Sequence, residues 1–111
     1  MKYALVFVFT LVALPALAQK APEPTSEAMD AGAAAGRFAG KADFCLATED
    51  DLEDYISLAH ARIAIAATDK LDRVLGELEF SNHYSMAKTR EPPEGCEAVL
   101  KALPSEREKL K

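Results

Sequence analysis

Residues that carry chemistry are scarce in this chain. It contains two cysteines, Cys45 and Cys96, and two histidines, His60 and His83. No Cys-x-x-Cys occurs, which argues against a thioredoxin-like redox motif and, with no histidine following such a pair, excludes covalent haem attachment. The histidines stand 23 residues apart. Their nearest candidate co-ligand is Glu79, one turn before His83, and nothing in the spacing demands convergence, so neither a metal site nor a cofactor is predicted. Ser57, Ser81, Ser85 and Ser105 lie outside any Gly-x-Ser-x-Gly elbow, and no glycine loop follows a strand to cradle phosphate. The acidic run Glu49, Asp50, Asp51, Glu53, Asp54 lacks the alternating ligands, central glycine and distant glutamate of a calcium loop. Nothing in the placement of the carboxylates predicts the contrasting pair that acid–base catalysis needs. These absences predict a protein that is not an enzyme.

Long apolar runs are equally scarce, and the one present is at the N-terminus. Lys2 precedes the stretch Tyr3 to Leu14, Pro15 breaks it, and Ala16-Leu17-Ala18 has the small-x-small form of a cleavage site. Residues 1–18 read as a secretory signal peptide, too short for the roughly 20 apolar residues of a comfortable membrane span. The expected location is the bacterial periplasm or the outside. Removing Lys2 with this segment leaves 12 basic against 18 acidic side chains, a formal charge of −6. That balance disfavours nucleic acid and anionic membrane surfaces as partners. In an exported protein an even pair of cysteines most simply forms one disulfide, here closing a loop of about 50 residues; a redox-active pair is the alternative.

What is present is helical periodicity. Gln19 to Ser26 reads as a flexible leader with two prolines, and residues 27–111 as one helical domain. Thr25 or Ser26 can cap a first helix over about 27–41. Its charged residues Asp30, Arg37 and Lys41 share one face, and Gly32, Gly36 and Gly40 lie opposite. Charges at this density exclude a transmembrane segment, and a helical charge stripe argues against a linker. The glycine face therefore predicts close approach of another helix, in this chain or a partner. "TEDD" (Thr48 to Asp51) is a capping pattern for a second helix bearing Leu52, Tyr55, Ile56, Ala59 and Ile63. Leu71, Val74, Leu75 and Leu78 repeat that spacing. Thr68-Asp69 favours a break between the two sets, though the phase of the stripe also allows one continuous helix. "TREPPEG" is a loop, Pro93 suits the first turn of a fourth helix, and Pro104 is expected to stop it, with Ser105 and Glu108 capping a charged tail. The fold class expected is all-α, a small bundle of about four helices stapled by one disulfide.

The most site-like stretch is "FSNHYSM", where Phe80, Tyr84 and Met86 accompany Asn82 and His83. Aromatic residues, methionine and a polar handle favour partner contact. The alternative places Phe80 and Tyr84 in the core and Asn82 and His83 in solvent.

The segments "AGRFAGKADFC" (Ala35 to Cys45), "EDDLEDY" (Glu49 to Tyr55) and "GCEAVLKAL" (Gly95 to Leu103) together resemble a group of small exported helical proteins of alphaproteobacteria. The resemblance implies an all-helical fold with a Cys45–Cys96 bridge and carries no activity or site residue. A fainter similarity is to acid-stress periplasmic chaperones held by one distant disulfide. The function expected is non-catalytic binding of another protein, as an inhibitor, immunity-type protein or accessory subunit. The alternatives are an acid-stress chaperone and a small-ligand or metal carrier using His60 or His83.

Overall fold

The computed structural model describes residues 25–111. The signal-peptide reading and nearly all of the leader lie outside the described residues. Four helices follow one another: α1 (Glu27–Phe44), α2 (Glu49–Ala66), α3 (Lys70–Ala87) and α4 (Cys96–Lys109), with no strand among the described residues.

The helix starts are set by side chains that satisfy otherwise orphaned N–H groups. Ser26 accepts from the Met29 N–H, Thr48 from Asp51 and Asp69 from Asp72. The chain therefore breaks between α2 and α3 at Thr68-Asp69, and the two helices are separate. α1 runs one turn beyond Lys41, to Phe44. It closes with the Leu46 N–H on the Asp43 carbonyl and the Ala47 N–H on the Ala42 carbonyl. That is the Schellman pattern, and it puts Leu46 in the left-handed region at φ 61° where glycine is usual. α4 starts at Cys96 rather than at Pro93. The intervening turn is closed by the Gly95 N–H on the Pro92 carbonyl, and Gly95 itself has φ 86°. Pro104 does not stop α4. It removes one backbone donor, but Leu100 and Pro104 are both exposed, so water can serve the freed carbonyl. The last turns are held by tertiary contacts: Arg107 pairs with Asp54 at 3.0 Å, and Leu110 packs on the core.

α1 is the central helix, and its glycine face is occupied by α3 of the same chain. A Cβ on Gly32 would strike the Gly76 carbonyl, and one on Gly36 would lie 2.9 Å from Phe80 Cα. One on Gly40 would lie 2.7 Å from the Tyr84 carbonyl oxygen. On α3, a Cβ on Gly76 would lie 2.8 Å from the Ala28 carbonyl oxygen. Contacts advance together along both helices, so α1 and α3 run parallel. Backbone touches backbone, an arrangement only small residues permit. The remaining core is thin and alanine-rich: Ala28, Ala35, Ala39 and Ala59 enclose Tyr55, Ile63, Phe80 and Leu103. The Phe38 and Tyr55 rings meet at 5.1 Å.

The disulfide Cys45–Cys96 joins the end of α1, not the start of α2, to the first residue of α4, with Cα atoms 5.1 Å apart. Ala42 and Val99 pack around it. In the chain-entropy account, a loop of this length destabilises the unfolded state by about 4 kcal/mol.

Two predictions follow from this geometry. Gly36→Ala adds about 1 kcal/mol of helix propensity yet drives a methyl into the α3 backbone, so a net loss of about 1–3 kcal/mol is expected by denaturant titration. A gain would show that the helices are not in backbone contact. Leu46 is 88% exposed, so Leu46→Gly removes little burial and relieves the left-handed strain. The melting temperature is expected to rise by several degrees, corresponding to about 1 kcal/mol.

Candidate functional site

The residues of "FSNHYSM" divide between two faces of α3. Phe80 is buried, its backbone against Gly36 and its ring 4.9 Å from His60 and 5.9 Å from Tyr84. Tyr84 is half-buried and donates its hydroxyl to Asp43 on α1. Burial first, then that hydrogen bond and the Asp43 charge, push the phenol up to about 12, so it remains a donor at neutral pH. The Lys88 ammonium lies 5.5 Å from the Tyr84 ring centre. His83 is half-buried and contacts Glu79 one turn earlier, at 3.3 Å. Asn82 and Met86 face outward, Met86 being 57% exposed.

The apolar stripe of α3 does not enter the core. Leu71, Val74 and Leu78 are 67%, 54% and 53% exposed. The cause is Gly76. At about 100° per residue, Asp72, Gly76 and Phe80 form one face, and this face lies against α1; Val74, Leu78, Leu71, Asn82, Leu75 and Met86 span a sector of about 120° on the other side. No Lys, Arg, Asp or Glu of α3 falls within that sector. The result is an outward apolar strip with the Ser85 hydroxyl, the Asn82 amide and the Met86 thioether at its C-terminal end.

Beside that end lies a groove of about 360 Å³, where α1, α3 and the Arg90–Pro93 loop meet. Arg37 and Lys41 enter from α1, His83 and Met86 from α3, and Arg90, Glu91, Pro92 and Pro93 from the loop. Lys41 is bound to Glu94 at 3.1 Å. Arg37 and Arg90 have no carboxylate partner among the described residues. Arg37 and Lys41 also border a second groove of about 330 Å³ between α1 and α4, whose wall includes Glu94, the partner of Lys41, and Glu106, the partner of Lys109. The charged face of α1 announces Arg37 and Lys41 in the sequence. Their meeting with Arg90 and His83 depends on α1 and α3 ending side by side, which no local pattern encodes.

The two histidines are held apart by different acids, His60 by Glu77 and His83 by Glu79. No three His, Cys, Asp or Glu side chains converge among the described residues. Nor is any helix among the described residues long and apolar enough to cross a membrane. Comparison with family models, with characterised proteins and with solved structures finds no match to this chain.

At the opposite end of the bundle, Asp72 ties three segments together. Its carboxylate accepts from the Thr68 N–H and hydroxyl before α3, at 2.9 and 3.3 Å, and the Ser26 hydroxyl at the start of α1 favours its ionised form. The Ser26 hydrogen bond first, then the Thr68 N–H, holds the carboxyl below the usual aspartate range. A depressed folded pKa stabilises the fold above the unfolded value, near pH 4, and this contribution is lost as pH falls through the folded value. Asp72→Asn is therefore expected to lower the melting temperature at pH 7 and to flatten its fall below about pH 4. An acid limb identical to that of the wild type would remove Asp72 as its source.

Proposed function

We propose that this protein acts in the periplasm without catalysis, by binding another protein on the outward strip of α3. The observation that carries this reading is the exposure of Leu71, Val74 and Leu78 in a sector free of charge, on a helix already anchored through its other face. Apolar strips at helical spacing are what amphipathic helices of partner proteins lay themselves against. The strip is rigid before binding, because the glycine contact fixes α3, so little ordering entropy opposes association. Asn82 and Met86 extend it and supply a polar handle and an adaptable contact.

Leu71→Glu and Leu78→Glu substitute exposed positions and should leave the melting temperature within about 0.5 kcal/mol of wild type. In affinity capture from the native periplasm, the wild type is expected to retain one protein in stoichiometric amount, and each variant to lose it. Equal recovery by wild type and variants would place the contact elsewhere. A concentration-dependent dimer in light scattering, abolished by Leu78→Glu, would assign the strip to a second copy of this chain and overturn the reading.

A further inference from the structure

We propose that the groove at the C-terminal ends of α1 and α3 binds a small organic monoanion, a carboxylate carried on a short apolar body. The argument begins with charge. The protein is strongly acidic, yet Arg37, Lys41 and Arg90 gather in one groove. The wall itself carries three basic side chains against one acid, Glu91, and Lys41 is paired with Glu94 beside it at 3.1 Å. His83 in the same wall is engaged by Glu79. A net basic wall favours an anion, and the acids in and beside it weigh against a phosphate dianion.

The kind of cation narrows the chemistry further. Two guanidinium groups with no carboxylate of their own among the described residues present forked donors that fit a carboxylate in bidentate fashion. The apolar part of the wall consists of Met86, Ala87, Pro92 and Pro93. Methionine adapts to irregular apolar shapes, and the paired prolines hold their side without losing conformational entropy when a ligand arrives. A volume of about 360 Å³ lies within the range of small-molecule sites and accommodates an acid of roughly eight to ten heavy atoms. The site is separate from the α3 strip except for Met86, and it does not rest on the partner-binding reading.

The test is a titration of the intact, disulfide-bonded protein with octanoate, followed by amide chemical shifts, with octanol and octylamine as controls. Octanoate is expected to give saturable shifts centred on Arg37, Met86 and Arg90 at or below about 1 mM, a modest affinity for so small a ligand. Arg37→Gln and Arg90→Gln are each expected to weaken binding about tenfold with the melting temperature unchanged, and Arg90→Gln, being in a loop, keeps the test open should the helical variant misfold. No saturable shift up to about 10 mM, octanol binding as well as octanoate, or octanoate binding unaltered in both variants would each overturn the proposal.

Discussion

The backbone of α3 rests directly on the backbone of α1, at Gly32, Gly36 and Gly40 on one helix and Gly76 on the other. Each glycine gives up about 1 kcal/mol of helix propensity. What is gained is close contact along most of two parallel helices, with dispersion and Cα–H···O interactions that no larger residue would allow. That contact also decides which way α3 faces. Its glycine side is turned inward, so its leucines and valine are turned outward. The parallel run brings both C-termini together and assembles the basic groove from residues far apart in sequence. The surface chemistry is thus a consequence of where the chain dispenses with side chains.

The two ends of this helix pair are secured by different chemistry. At the N-terminal end, the Asp72 carboxylate in the first turn of α3 accepts from Thr68 just after α2, and the Ser26 hydroxyl at the start of α1 favours its ionised form. At the C-terminal end, Tyr84 reaches Asp43, and the Cys45–Cys96 disulfide carries α4 onto α1. One end depends on an ionised carboxylate and the other on an oxidised pair of thiols. Both requirements are met in an oxidising compartment near neutral pH, the setting proposed for this protein. A thin alanine core has little apolar area to contribute, which makes such ties a larger share of the stability.

Much of the architecture is legible in the sequence. Helix starts at Ser26, Thr48 and Asp69 were legible because a cap is a local interaction between residues three apart. The glycine stripe was legible because charges on the opposite face set its phase. The ends were less so. α1 ran on past Lys41 because a leucine took the left-handed position that glycine usually marks, and α4 ran through Pro104 because Arg107 and Leu110 hold its last turns from outside the helix. The "FSNHYSM" stretch was recognisable as mixed, but whether Phe80 or Met86 faced a partner turned on Gly76, four residues upstream. The groove was not legible at all: Arg37 and Lys41 read as a solvated stripe, and Arg90 as part of a loop.

The amino-acid sequence alone determined the all-helical class, the capping residues at the helix starts and the glycine face of α1; it favoured a break at Thr68-Asp69 without deciding it. All of these are set by interactions within one or two helical turns, where side-chain identity and spacing are sufficient. Only the tertiary structure decided that the helix on that face is α3 of the same chain, running parallel. It also decided that the leucine stripe points outward and that Arg37, Lys41, His83 and Arg90 share a groove. Those outcomes depend on which of two possible faces of α3 approaches most closely, a competition between leucine burial and backbone contact. Residues distributed along the whole chain settle it together.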